Sequence, residues 1–377
     1  MTIAYVANSR FPSEKAQSDH VMQMCAAFAS AGHRVTLLVP ERTPVMADDP
    51  FVWYGKPKTF AFERVPCVDT LRWLWLGPLA LWIQTLTFVL NLRRRIRDIA
   101  PDVTYSRELY TFGFGDVPGL HVWESHALPS SVWAWRLIRS LDRIVTLTSA
   151  SKERLVAKGV SAGRILVEPD AVDPALFDAA PSRENARRDL GIGEDEFLCL
   201  YTGKFTTMNM PKGVDESVDA VTALRSEGRK VRLLAVGGTP EELGRYTSSV
   251  GDGIEFLGHQ PQKDLKRFYA AADLLLMPFP YTKHYAYFMS PLKLFEYLMS
   301  GVPMVVTDLQ SVREIVGDAE AFIAKPGDVA SLVVEIRRAM DAPEDARARA
   351  DAAWKLSSKY TWTERARRIA AWLPTSV

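Results

Sequence analysis

The sequence predicts an α/β protein made of two doubly wound halves, and three observations carry that expectation. Short apolar, β-rich runs at 3–8 and 34–39 flank a stretch from Asp19 to Ala31 whose apolar residues recur at helical spacing, closed by Gly32. Strand, helix, glycine turn and strand make a βαβ unit, and such units build parallel sheets. A polar run at 178–192, holding Pro181 and Gly191 and followed by Gly193, then interrupts the pattern, and the pattern restarts after it.

The second half reads as a strand at 197–202, a loop opened by Gly203, a helix from Asp215 to Ser226, and a strand from Val231 that ends in Gly237-Gly238. Shorter pieces follow: a strand at 254–256, a helix at 264–271, a strand at 274–277, a helix at 291–299 and a strand at 304–307. Thr361, Thr363 and Glu364 start a last helix. The expected domains are therefore 1–180 and 190–360, with the tail 361–377 crossing back to the first.

Composition narrows the class. The chain has 377 residues, enough for about two domains, and 47% hydrophobic residues, enough for real cores. Lys+Arg number 46 and Asp+Glu 45, so the net charge of +1 offers no general nucleic-acid surface. Cys25, Cys67 and Cys199 are far apart and odd in number, which argues for reduced thiols rather than a disulfide framework or metal cluster. The opening Met1-Thr2-Ile3-Ala4-Tyr5-Val6 reads as a first strand, not a signal peptide. No GxGxxG follows that strand, which disfavours a simple dinucleotide enzyme. Asp170 and Asp173 read as a turn, not a metal pair.

Chemistry concentrates at Ser290-Pro291-Leu292-Lys293-Leu294-Phe295-Glu296. Ser290 is expected to cap a helix and Pro291 to stand at its first position. The N–H groups and dipole at such a helix start favour an anion such as a diphosphate, and Lys293 adds charge in the first turn. Glu296 shares a helix face with Leu292, where a carboxylate accepts from a ribose diol. Gly301 then closes the helix.

The run SPLKLFEYLMSGVPMVVT, Ser290 to Thr307, resembles the donor-binding segment of the family 4 retaining glycosyltransferases of GT-B fold. Other pieces resemble that family in the right order. They are Phe11-Pro12-Ser13-Glu14-Lys15-Ala16 leading to Ala31-Gly32-His33-Arg34-Val35-Thr36; Glu124-Ser125-His126; Pro169-Asp170-Ala171-Val172-Asp173; Tyr201-Thr202-Gly203-Lys204 with Lys212-Gly213; Phe256-Leu257-Gly258; and Ala272-Asp273. The resemblance implies two Rossmann-like domains facing a central crevice, the first on the acceptor side and the second binding the nucleotide-sugar donor.

Roles follow by resemblance. Glu296 would hold the donor ribose, and the backbone at Ser290, Pro291, Leu292 and Lys293 would meet the diphosphate. Lys204 and Lys212 would neutralise the leaving nucleotide, as charge developing on a departing group requires. His126 would bond the transferred sugar, with Glu124 either orienting it or ending a strand. Lys15, Ala16 and Gln17 would line the acceptor-side loop, although many relatives carry a Gly-Gly in this loop and this chain has Lys15-Ala16-Gln17-Ser18. His259, Gln260, His284 and Tyr287 are expected to shape donor choice. Phe288 stands where the family's first glutamate is expected, so retention would proceed by front-face attack rather than through a carboxylate nucleophile.

The implied reaction moves a hexosyl group from a UDP- or GDP-linked sugar to a glycan or lipid-linked acceptor, with no obligatory metal or further cofactor and no nucleic acid. The alternatives are a non-catalytic sugar-nucleotide-binding relative and a GT-B sugar-nucleotide epimerase. A cytoplasmic place is expected, at the inner face of the plasma membrane. Trp73, Trp75 and Trp82 lie in or beside an apolar stretch from Leu71 to Leu92 that runs into Arg93-Arg94-Arg95 and Arg97. Gly77-Pro78 and several polar residues break it, so peripheral docking is expected rather than spanning.

Overall fold

The computed structural model describes residues 1–13, 16–43, 49–113, 117–246 and 253–374. Contacts divide the chain into two compact units, Met1–Pro169 with Trp362–Val377, and Asp170–Thr361. The division falls at 169/170 rather than inside 178–192. The polar run read as a linker folds as part of the second unit. Ser182 caps a helix, Arg183–Asp189, by accepting from the Asn185 N–H. Ala186 and Ile192 enter the core, and the buried Arg187 donates to Asp273 at 2.9 Å and to the Ala271 carbonyl at 3.1 Å. A buried, paired arginine has the same letter in sequence as a solvated one, which is why the run looked like a connector.

In the first unit, β1 (Thr2–Val6), β2 (Arg34–Pro40), β3 (Ala61–Val65), β4 (Val103–Ser106), β5 (Leu120–Ser125), β6 (Arg143–Thr146) and β7 (Ile165–Val167) form one sheet. Its order is β3-β2-β1-β4-β5-β6-β7, and every pairing is parallel. The second unit holds β8 (Phe197–Thr202), a small hairpin of β9 (Thr206–Thr207) and β10 (Met210–Pro211), and then β11 (Val231–Gly238), β12 (Ile254–Gly258), β13 (Leu274–Met277), β14 (Met304–Thr307) and β15 (Phe322–Ala324). Its main sheet runs β12-β11-β8-β13-β14-β15, again all parallel. Both orders reverse direction beside the first strand, between β1 and β4 and between β8 and β13. Ligands of such sheets bind outside the carboxyl ends of the strands at that switch point.

Strand periodicity builds the cores. Leu198 and Leu200 face one layer with Leu275 and Met277, while Cys199 faces the other with Leu274 and Leu276. Each central strand is therefore apolar on both faces and fully covered. The final helix, Trp362–Trp372, groups with the first unit and packs on the Ala16–Ser30 helix. Among the described residues no helix is long and apolar enough to cross a membrane.

Candidate active site

In the second unit the switch point is lined by glycines and lysines. Gly203 follows β8 and donates to the Val236 carbonyl at 2.7 Å. Gly237 (φ +117°) faces it so closely that an added Cβ would lie 2.8 Å from the Gly203 backbone. Lys204 is exposed at the start of the β9–β10 hairpin and Lys212 lies at its end, where the Lys212 N–H donates to the Phe205 carbonyl at 3.0 Å. The hairpin was not legible as such: its turn residues, Met208 and Asn209, adopt left-handed φ of 50° and 59° without a glycine. Gly213 (φ +86°) follows, and a Cβ there would meet the Pro278 carbonyl oxygen at 1.9 Å. The Lys-Gly pair thus lets the chain touch the end of β13 before the Val214–Ser226 helix begins.

Glu242 fixes the hairpin base. It accepts from the Thr206 hydroxyl and from the Thr239 and Phe205 N–H groups. Burial alone would push its carboxyl up, but these hydrogen bonds hold it below the usual range. Its charge partly supports the Lys212 ammonium, which burial and the Lys204 charge bring down to about 8.

The helix after β13 starts one residue later than expected. Pro291 is its cap residue and Leu292 its first helical residue. The Ser290 hydroxyl does not cap it; it accepts from the Asp170 N–H at 2.8 Å. The reason is local: the segment after Pro169 turns beside the helix start, with Asp173 capping the short Pro174–Phe177 turn through the Ala175 N–H. Asp173 of the DxxD pair is thus a turn cap. The N–H groups of Leu292 and Lys293 precede the first intrahelical bond, which Leu294 makes to the Pro291 carbonyl.

Lys293 does not reach outward. It is 8% exposed, its Nζ has no hydrogen-bond partner, and it lies over the Tyr201 ring, 3.6 Å from the centroid. The position of a Gly203 Cβ would be 3.5 Å from that Nζ. One turn on, Glu296 accepts from the Tyr269 hydroxyl at 2.7 Å and from the Gln262 amide at 3.2 Å. Tyr269 and Gln262 went unnoticed in the sequence, although Tyr269 sits on the helix Leu265–Ala271.

The loop before this helix contains a short helix of its own, Lys283–Tyr287, capped by Thr282. Phe288 is its half-buried C-cap residue, donating to the His284 carbonyl. His284 is half-buried, and burial and then the Lys212 charge push its pKa down. Lys204, Lys212, Lys293, Glu296 and His284 therefore act on one another's charge or lie within one turn of each other in a single unit. Gln260 accepts from Arg267 at 3.2 Å, an exposed link.

In the first unit, Glu124 and His126 stand at the carboxyl end of β5. Glu124 is fully buried and is a hub. His126 Nε2 lies 2.7 Å from its Oε1, His20 Nε2 2.9 Å and Arg365 Nη2 3.0 Å, while Tyr105 donates to Oε2. Burial works against the carboxylate, but the Arg365 and histidine contacts hold it well below the usual range. An ionised Glu124 requires the His126 proton on Nε2 and leaves Nδ1 as an acceptor. Burial and Arg107 push His126 down to about 4, so the ring is neutral, and it stays 22% exposed. Glu124 thus orients His126 rather than merely ending a strand. Gln17 donates to Glu108 at 2.8 Å from the first turn of the Ala16–Ser30 helix, and Ala16 is exposed there. Lys15 lies outside the described residues.

The chain matches the family described as Glycosyltransferase Family 4 over residues 17–176 and that described as Glycosyl transferases group 1 over residues 196–342. It belongs to the family 4 glycosyltransferases of GT-B fold. The 2-deoxystreptamine glucosyltransferase of Streptomyces kanamyceticus is 30% identical over 226 residues, covering 58% of this chain and 56% of that enzyme. The match thus spans little more than half of that relative's length. The chain also superposes on the sucrose-phosphate synthase of Thermosynechococcus elongatus at TM-score 0.73 and 18% identity, covering 98% of this chain and 97% of that one. A structure of HepE from Anabaena with UDP-glucose gives TM-score 0.71 and 16% identity, covering 98% of each chain. At those identities the likeness speaks for the fold.

Proposed function

We propose that the chain transfers a hexosyl group from a UDP- or GDP-linked sugar to a glycan or lipid-linked acceptor, with retention and without an obligatory metal. The observation that carries this reading is the meeting, at the β8/β13 switch point, of a helix start, the Lys204, Lys212 and Lys293 charges, and a carboxylate held by Tyr269. Helix N–H groups and ammonium groups suit a diphosphate, and Glu296 suits a ribose diol. That HepE is solved with UDP-glucose supports the choice of donor class.

In this reading Lys204 and Lys212 stabilise the charge that develops on the departing nucleotide, the role a metal plays elsewhere. His126 accepts from a sugar hydroxyl through Nδ1. Phe288 offers no nucleophile, so the incoming hydroxyl attacks the face that the leaving diphosphate vacates, and the diphosphate oxygen takes its proton. Ala16 and Gln17 line the acceptor side. The work is done in the cytoplasm, at the inner face of the membrane, with peripheral bilayer contact.

Release of nucleoside diphosphate from a panel of UDP-, GDP- and ADP-sugars tests this. Turnover that disappears in Glu296→Ala and Lys212→Ala supports a transferase. Phe288 is the one observation favouring a non-catalytic donor-binding relative, and donor binding with no turnover under any acceptor would establish that reading instead.

A further inference from the structure

The helix Pro78–Ile99 changes character along its length, not only around it. Its inner face, with Phe88, Val89, Leu92 and Ile96, is buried in the first unit's core. On the outer face Leu79, Trp82, Leu86 and Leu90 follow one another at spacings of three and four, forming one exposed stripe. Trp82 is 64% exposed, and Trp75, in the turn just before the helix, is 81% exposed. The same stripe continues as Arg93 and Arg97, with Arg94 beside them. These three arginines and Leu90 form one wall of a groove of about 600 Å³ whose other wall is Pro66–Val68.

That wall is a built one. Asn91 donates to the Pro66 carbonyl at 3.0 Å, and the Val68 N–H donates to the Thr87 hydroxyl at 3.0 Å. The charges in it are unbalanced. Arg95 turns aside and pairs with Glu63 through two bonds, at 2.5 and 2.8 Å. Among the described residues no carboxylate pairs with Arg93, Arg94 or Arg97, and the Arg93 Nε is buried without a hydrogen-bond partner.

We propose that this groove seats the phosphate of an anionic phospholipid, with the apolar stripe and Trp75 entering the headgroup–acyl boundary beside it. The proposal rests on the reading of a membrane-proximal transferase and names the surface that would make the contact. Leu90 lies about 5 Å along the helix axis from Arg93, and Trp82 about 16 Å. With the arginines at phosphate level, an oblique helix therefore brings Leu86, Trp82 and Trp75 into the layer where tryptophan settles. Guanidinium suits this seat because it binds phosphate oxygens in pairs. A second copy of the chain is a poor occupant. A two-fold contact through this face would set three uncompensated arginines against three more.

The test is co-sedimentation of the full chain with vesicles of phosphatidylglycerol and phosphatidylcholine, and with phosphatidylcholine alone. Binding is expected only where the anionic lipid is present, and it should weaken as salt rises. One arginine at such a surface changes partitioning about fivefold, so R93Q/R94Q/R97Q should lose about 100-fold. W75A/W82A should also lose binding, with the donor-induced thermal shift unchanged in both variants as a check on folding. Sedimentation that the triple glutamine variant leaves unchanged overturns the headgroup seat. Absence of binding to any vesicle overturns the membrane contact itself, as does a dimer in solution that W75A/W82A dissolves. Donor turnover without vesicles is measured alongside, so a failure of the transferase reading registers separately.

Discussion

Lys293 holds its ammonium over the face of Tyr201, 3.6 Å from the ring centre, with no hydrogen-bond acceptor. An aromatic face replaces only part of the hydration such a charge loses. Burial and then the Lys212 charge accordingly bring Lys293 well below the usual lysine range, with Glu296 opposing them. The site is thus short of protein carboxylates, which is the condition that makes an incoming diphosphate favourable.

The consequence is a proton-linked affinity. A bound diphosphate raises the pKa of Lys212 above the value of about 8 that the protein alone gives it. Donor binding then takes up protons. The Lys212 contribution to affinity is flat below pH 7, where its ammonium is already charged, and falls as pH rises through about 8. Lys212 alone predicts about tenfold weaker UDP binding at pH 9 than at pH 7, measured by titration calorimetry. Lys212→Arg should remove that part of the slope, since arginine stays charged. A wild-type affinity equal at the two pH values would contradict the argument.

Glu296 shows its preparation through its neighbours. The Tyr269 hydroxyl spends its proton on Glu296 at 2.7 Å and touches Thr202 at 3.2 Å, so the carboxylate is fixed before any ribose arrives. Tyr269→Phe should raise the KM for donor about tenfold, the worth of one hydrogen bond to a charged group. Its kcat should move little, because ribose contacts are the same in ground and transition states. A fall in kcat with KM unchanged would place Tyr269 in the chemistry instead.

The legible parts of this molecule were those written in local pattern. The parallel strands β8, β11, β13 and β14 follow from short apolar runs, the first two closed by glycine, and the Ser290–Glu296 run identified the helix start within one residue. What stayed hidden depends on partners distant in sequence. Ser290 looked like a cap because it precedes Pro291, but the Asp170 N–H, 120 residues earlier in the sequence, claims its hydroxyl. Arg187 looked solvated until Asp273 closed on it. Glu242 gave no signal at all, since its three donors come from two separate turns. Helix Pro78–Ile99 was visible as an apolar run, but which of its faces is covered could be learned only from the core.

Two glycines separate packing from flexibility. At Gly213 a methyl group would overlap the Pro278 carbonyl, and φ is +86°. Gly213→Ala should cost about 2–4 kcal/mol and abolish the donor-induced thermal shift, since the Lys212 loop must move. Gly244 lies in the Pro240–Tyr246 helix with nothing within 4 Å of an added Cβ. Gly244→Ala should therefore raise stability by about 0.5–1 kcal/mol in urea titrations, with donor binding unchanged. Equal behaviour of the two variants would refute the close-contact account.

The tail helix predicts its own importance through one residue. Arg365 is fully buried, donates to Glu124 at 3.0 Å and to the Pro169 carbonyl at 2.7 Å, and shares Glu124 with His20 and His126. Arg365→Met would strand a buried carboxylate and should cost about 3–5 kcal/mol. The acid side of the stability profile reports the same cluster. His126 is held at about 4, below its usual value of 6.5, so the unfolded chain binds that proton first and stability falls as pH drops from about 6.5 toward 4. Glu124, held below the usual carboxylate range, adds a further loss as pH falls through its own range. His126→Gln should flatten the first part of that decline. Combining Arg365→Met with Glu124→Gln should recover much of the loss from the arginine change alone, because the stranded charge is gone. Strict additivity of the two changes would mean that Arg365 supports the tail by packing alone.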